Sequence, residues 1–211
     1  MATPGERWRT ALRDRSFQKL LGLTAFALTV TAVGFSSLVR FVEARPGVEL
    51  VDPILALLPR VDLTWPIFLL VYCSIGAALI GARSSPHHVL LMFQVWTITT
   101  LFRGVVMFVT PLDDPEGAIV LVDPITTFFF RATSAPTKDL FFSGHTSTLF
   151  ILYLTAQRPK LRAGFLIGTI SMGLAVLIQR VHYTVDVLAA PFFVYASYVI
   201  ATRLSDVPDE N

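Results

Sequence analysis

Two histidines and an aspartate carry the clearest chemical signal in the sequence. His182 and Asp186 are four residues apart, so in a helix they share a face and the carboxylate can accept a hydrogen bond from the imidazole. That bond sets the tautomer, leaves the other ring nitrogen free to attack, and stabilises the cation that forms. A second histidine, His145, can act as the general acid and base. We predict that these three residues are catalytic.

The neighbouring residues are suited to holding a phosphate group. Arg103 can bind phosphate in a bidentate way. Ser143 and Gly144 precede His145, where the first N–H groups of a helix favour an anion and glycine allows close approach. Arg180 can add a second positive charge. Other residues that could line such a site are Asp139, Thr146, Tyr183, Thr110 and Gln179. The combination favours attack at phosphorus.

The composition requires a membrane to position these residues. Of the 211 residues 54% are hydrophobic and only 15% are charged, against about 25% charged in a typical soluble domain. The mean hydropathy of +0.64 agrees with this interpretation. The single cysteine, Cys73, allows no intramolecular disulfide. The formal charge of +2 does not suggest a nucleic-acid partner.

Long apolar stretches predict an all-α bundle of six transmembrane helices in a single membrane domain, residues 1–211. A helix needs about 20 apolar residues to cross a bilayer. The predicted spans are about 20–41, 63–82, 87–110, 140–157, 162–181 and 184–203. Residues 111–139 are predicted to form an extracytoplasmic loop. Its short apolar pieces, 118–122 and 125–130, could lie as a helix in the interface.

Basic residues predict the orientation of this bundle, because cytoplasmic loops are enriched in Lys and Arg. Six spans place three basic regions on one side, and these contain Arg7, Arg9, Arg13, Arg15 and Lys19, then Arg83, then Arg158, Lys160 and Arg162. Both termini are therefore predicted to be cytoplasmic. The same order of spans brings Arg103, His145, His182 and Asp186 together at the opposite, extracytoplasmic face.

Each of these residues also has a simpler interpretation. A histidine near the interface can merely form a hydrogen bond there, Arg103 could be an interfacial anchor, and Asp186 could cap a helix. A transporter that relays protons, or a structural scaffold, would use the same side chains. His145, His182 and Asp186 could also ligate a metal ion. Their convergence on one face favours a reaction site over these alternatives.

Three stretches resemble the motifs of sphingomyelin synthases, a branch of the type 2 phosphatidic acid phosphatase superfamily. Residues 139–146 read D-L-F-F-S-G-H-T, residues 182–187 read H-Y-T-V-D-V, and residues 103–110 read R-G-V-V-M-F-V-T before Leu112 and Pro115. Ordinary phosphatases of the superfamily carry K-x-x-x-x-x-x-R-P and S-R-x-x-x-x-x-H. Here neither Arg45-Pro46 nor Arg158-Pro159 has the lysine, and position 176 is Val.

The resemblance implies a triad of His145, His182 and Asp186 at a periplasmic or lumenal site with no metal requirement, so we predict no metal and no cofactor. It also implies transfer of a phospholipid head group, such as phosphocholine or phosphoethanolamine, through a phosphohistidine to a lipid alcohol such as ceramide. Water is the alternative acceptor and would give a lipid phosphatase or a phospholipase C-type hydrolase. The predicted partners are membrane lipids, and the sequence does not decide the acceptor or the oligomeric state.

Overall fold

A computed structural model describes residues 2–123 and 137–205, and within these ranges the chain forms helices and no strand. The prediction of an all-α fold is confirmed. The described helices are α1 (Pro4–Ala11), α2 (Arg15–Glu43), α3 (Pro53–Leu57), α4 (Thr64–Ala82), α5 (Pro86–Val109), α6 (Gly144–Thr155), α7 (Pro159–Ile178) and α8 (Thr184–Ser205).

Five of these helices, α2, α4, α5, α7 and α8, are long and apolar enough to cross a membrane. They coincide with five of the six predicted spans, and α2 is longer than predicted, with 29 residues. Large apolar side chains such as Phe26, Leu69 and Ile167 are exposed on their outer faces. Water would make such a surface costly, whereas lipid covers it. The chain is therefore a multi-pass membrane protein.

The predicted span 140–157 is helical only over the 12 residues of α6, so the count of six spans is not confirmed. The helix begins late because Ser143 caps it and Arg103 holds the carbonyl of Phe142 outside the helix. It ends at Ala156, whose backbone is extended. α6 packs among α4, α5, α7 and α8, and a helix enclosed by protein does not need the length that lipid imposes.

Apolar clusters and small residues hold α6 in place. Leu149 is fully buried and packs with Ile67 and Met172 of the flanking helices. Gly168 of α7 lies so close that a Cβ there would be 3.3 Å from the Leu149 side chain. Small residues at helix crossings let backbones approach in membrane proteins. The short helix is thus fixed by its neighbours on both sides.

Contacts between the ends of the helices define two opposite ends of the bundle. At one end, Trp8 Nε1 donates to the Arg83 carbonyl at 2.8 Å, and Gln157 Nε2 lies 3.1 Å from His88 Nδ1. The basic regions 7–19, 83 and 158–162 therefore share this end, which we call the basic end. The loops 44–63 and 110–123 meet at the other end, where Val48 bridges to Leu112.

Two details at the loop end differ from the prediction. Residues 118–122 are not helical, because the Ile119 N–H donates to the Gln179 carbonyl and not within its own segment. The second piece considered for an interfacial helix, 125–130, lies outside the described residues. The short helix α3 was not predicted, and Asp52 caps it through hydrogen bonds from the N–H groups of Ile54 and Leu55.

Candidate active site

A cavity of about 640 Å³ lies at the loop end of the bundle, within the usual size range for ligand sites. Five of the residues predicted for the site line it, namely Arg103, Asp139, Gly144, His145 and His182. They come from α5, from the segment before α6 and its first turn, and from the turn before α8. The structure thus brings together side chains that are up to 79 positions apart in the sequence.

His182 and Asp186 are close, with 3.4 Å between Nδ1 and Oδ2. The prediction that they share a helix face is wrong in detail, since His182 precedes α8 and Asp186 lies in its first turn. Asp186 Oδ2 accepts a 2.8 Å hydrogen bond from the Tyr183 N–H, as an acidic residue does in a capping box. This bond holds the carboxylate beside the ring. Among the described residues, neither His182 Nδ1 nor Asp186 Oδ1 has a hydrogen-bond partner.

The start of α6 is joined directly to the His182 turn. The Ser143 N–H donates to the Asp186 carbonyl at 3.1 Å, so the two histidine segments are linked through their backbones. The Ser143 hydroxyl caps α6 by accepting from Thr146. His145, the second helical residue, packs with its ring 5.8 Å from that of Phe68 on α4. The position of His145 therefore follows from the cap and from this aromatic contact.

Arg103 is held by contacts on several sides. Its Nε donates to the Phe142 carbonyl at 2.9 Å, and one Nη donates to Asp139 at 2.6 Å. The guanidinium lies 5.1 Å from the ring centre of Phe35 and directly against Gly144. Guanidinium carries five N–H donors, so donors remain for a ligand after these bonds. Arg103 is thus a fixed cation facing the cavity.

The other predicted residues lie outside this cavity. Ser143 and Thr146 are buried in the α6 cap. Thr110 is the C-cap of α5. Arg180 lines a second cavity of about 400 Å³ and donates to the Glu116 carbonyl. Tyr183 is buried, and its hydroxyl donates to the Asp113 carbonyl and accepts from the Leu50 N–H, so it connects the two loops.

Two acidic residues at the cavity, Asp114 and Asp123, were not predicted as site residues from the sequence, whereas Gln179 was predicted and lies outside the cavity. Asp114 and Asp123 line the cavity from the loop after α5, and Tyr72 of α4 donates to Asp123 at 2.6 Å. Burial raises the pKa of the Asp114 carboxyl. Gln179 is fully buried and binds Leu63, Thr64 and Ile119. The acidic residues of a long loop were the available signal, but spacing alone does not show which of them turn inward.

In the part of the chain that the structure describes, no group of three or more His, Cys, Asp or Glu side chains lies together in a way that could hold a metal ion. Arg103 of α5 and His145 of α6 line the same cavity as His182, which lies beside Asp186. Chemically, this set offers a nucleophilic nitrogen, a second acid–base group and a phosphate ligand.

A comparison with curated proteins finds no match to the chain. A family model described as "PAP2 superfamily C-terminal" matches residues 138–203. This segment is about a third of the chain and includes His145, His182 and Asp186, and it begins next to Asp139. Residues 138–203 are therefore similar to the C-terminal part of PAP2 superfamily proteins.

Proposed function

We propose that the protein is a membrane phosphotransferase that moves a phospholipid head group to a lipid alcohol through a phosphohistidine. One observation carries the proposal: Arg103, His145 and His182 line a single cavity, and the Asp186 carboxylate is 3.4 Å from His182 Nδ1. A nucleophile, an acid–base group and a phosphate ligand are the parts that such a transfer needs. The motifs that resemble sphingomyelin synthases favour transfer over hydrolysis.

In the first step His182 Nε2 attacks phosphorus, and the bond from phosphorus to the diacylglycerol oxygen breaks. His145 donates a proton to that oxygen, so neutral diacylglycerol leaves. The head-group phosphate remains bonded to His182 Nε2. Asp186, beside Nδ1, stabilises the positive charge that the ring acquires, and Arg103 neutralises charge on the phosphate oxygens.

In the second step an acceptor hydroxyl attacks the same phosphorus atom and loses its proton to His145. The bond between phosphorus and Nε2 breaks, and both histidines return to their starting forms. A lipid alcohol such as ceramide gives a new phospholipid. Water in its place would give a free head-group phosphate, the outcome of the hydrolytic alternative. Exclusion of water from the cavity decides between these products.

The proposal is tested by mass spectrometry of head-group-labelled phospholipid incubated with purified protein, with and without ceramide. We expect a labelled sphingolipid only when ceramide is present. A labelled free head-group phosphate in both reactions would identify a hydrolase instead. The reactions contain EDTA because no metal ion takes part in the mechanism. Turnover that requires an added divalent ion would contradict it.

Variants of the three catalytic candidates complete the test. His145→Ala, His182→Ala and Asp186→Asn should each lower turnover by orders of magnitude, because the two histidines act on the reacting atoms and Asp186 stabilises the charge on His182. His87→Ala is the matched control, since His87 is exposed near the basic end and packs on Phe17. Thermal unfolding followed by tryptophan fluorescence checks that the variants fold. A folded His182→Ala protein with wild-type turnover would exclude the phosphohistidine.

A further inference from the structure

The hydroxyl of Thr99 on α5 is an unusual feature of the cavity wall. Thr99 is only 2% exposed and lines the cavity, and its Oγ1 has no hydrogen-bond partner among the described residues. Its neighbours Thr97 and Thr100 donate to the carbonyls of Phe93 and Trp96, four residues earlier. A buried hydroxyl without a hydrogen-bond partner is energetically unfavourable. Thr99 is therefore a candidate to bind a ligand.

The position of Thr99 is fixed relative to Arg103. The two residues are four apart on α5 and line the same cavity, so they share a helix face about 6 Å apart along the axis. Thr99 lies on the side of Arg103 that is nearer the middle of α5. In a glycerophospholipid or a sphingolipid, the carbonyl that joins the acyl chain to the backbone is separated from the phosphate by a comparable length.

The cavity also has apolar walls on membrane-spanning helices. Ala32 and Phe35 of α2, Val71 of α4 and Ile151 of α6 line the cavity. Trp96 also lines it and is 37% exposed. Because Trp96 lies on the membrane-spanning helix α5, its exposed part faces lipid. Together these side chains offer an apolar surface on which an acyl chain can pack.

We propose that Thr99 donates a hydrogen bond to the carbonyl of the acyl linkage, ester or amide, of a lipid whose phosphate is held at Arg103. The lipid lies along α5 with its phosphate at the histidines, its acyl carbonyl at Thr99 and its chain between α2 and α4. The inference rests on the proposed function, because it assumes phosphate at Arg103. It makes Thr99 a positioning residue that selects acyl-linked lipids over lipids without a carbonyl.

The test compares a diester phospholipid with the diether phospholipid of the same head group and chain length, which lacks both carbonyls. Wild-type protein should turn over the diester about threefold to tenfold faster, the range expected for one neutral hydrogen bond. Thr99→Val should remove that preference, and Thr99→Ser should restore it. Thr100→Val is the matched control, since Thr100 lines the same cavity but its hydroxyl is already bonded.

Lipid binding can be compared for the diester and the diether without measuring turnover. Native mass spectrometry of Thr99→Val protein should show equal retention of the two lipids, whereas wild type retains the diester better. Thermal unfolding of lipid-free Thr99→Val protein should occur at or above the wild-type temperature, because valine has no hydroxyl to leave unpaired. An equal diester preference in wild type and Thr99→Val would overturn the inference and leave the proposed function intact. Absence of phospholipid turnover in wild type would instead remove the proposed function.

Discussion

At the scale of single residues, the site depends on how closely a backbone can approach the Arg103 guanidinium. A Cβ on residue 144 would lie 2.7 Å from Arg103 Nη1 and 2.9 Å from its Cζ. Arg103 cannot move aside freely, because Asp139 and the Phe142 carbonyl both hold it. Glycine at position 144 thus lets the Arg103 guanidinium pack against the first turn of α6, next to His145.

Gly144→Ala should therefore displace Arg103 and lower turnover at least tenfold, since a displacement of about 1 Å costs a catalytic arrangement that much or more. Alanine favours the helix by about 1 kcal/mol, so part of the strain is offset and the protein should still fold. Initial rates and thermal unfolding, measured on the same preparation, check both statements.

Gly76→Ala is the control for this substitution. Gly76 lies inside α4, and a Cβ there would meet no heavy atom within 4 Å. Its turnover should equal that of the wild type. Wild-type turnover in Gly144→Ala as well would mean that Arg103 does not need its present position for the reaction.

At the scale of elements, the loop after α2 holds the helix that carries Asp186. Asp52 accepts from the Thr184 N–H at 2.6 Å and from the Thr184 hydroxyl at 3.1 Å, and it also caps α3. Burial alone would raise the pKa of the Asp52 carboxyl, but hydrogen bonds from Thr184 and Leu55 outweigh it and lower that pKa. The Asp52 carboxylate therefore binds the starts of both α3 and α8. Its contact on α8, Thr184, is two residues from His182.

Asp52→Ala should lower the free energy of unfolding by about 1–2 kcal/mol, the usual effect of losing a cap, and should reduce turnover by loosening the His182 turn. Because the folded pKa is lowered, the stabilisation is present above the unfolded pKa of about 4 and is lost as the pH falls through the folded pKa. The difference between wild type and variant should shrink below about pH 4, as thermal unfolding at several pH values will show.

Asp62→Ala provides the comparison, because Asp62 lies before α4 and accepts from the nearby Thr64, whose N–H is 2.9 Å away. It should cost less stability and leave turnover unchanged. Equal losses of turnover in the two variants would show that the capping of α8 has no particular role at the site.

The same elements show what can be predicted from a sequence of this kind. Apolar length predicted the five long helices, because lipid demands about 20 apolar residues in each. It could not predict where α6 begins and ends, since α6 is enclosed by other helices and its start depends on the Ser143 cap. Residue type suggested His145, His182, Asp139, Gly144 and Arg103, which do share the cavity or its edge. The role of Asp52 depends on a contact 132 positions away, which no local pattern reveals.

At the scale of the whole molecule, one end of the bundle carries basic regions and the other end carries the cavity. The basic end carries the regions 7–19, 83 and 158–162, and the opposite end carries the cavity. α6 and its flanking residues run beside α5, from Phe142 at Arg103 to Gln157 at His88. If α6 completes a sixth crossing, residues on either side of it must lie on opposite sides of the membrane.

Cysteine labelling tests this arrangement in a Cys73→Ser background. Val51 is 97% exposed at the cavity end, while Thr10 and Lys160 are exposed at the basic end. Since basic regions stay in the cytoplasm, an impermeant maleimide added to intact cells should label Val51→Cys alone. Thr10→Cys and Lys160→Cys should react only after permeabilisation. Labelling of both Lys160→Cys and Val51→Cys in intact cells would mean that α6 does not cross the membrane. His145 and the basic loop 158–162 would then face the same compartment.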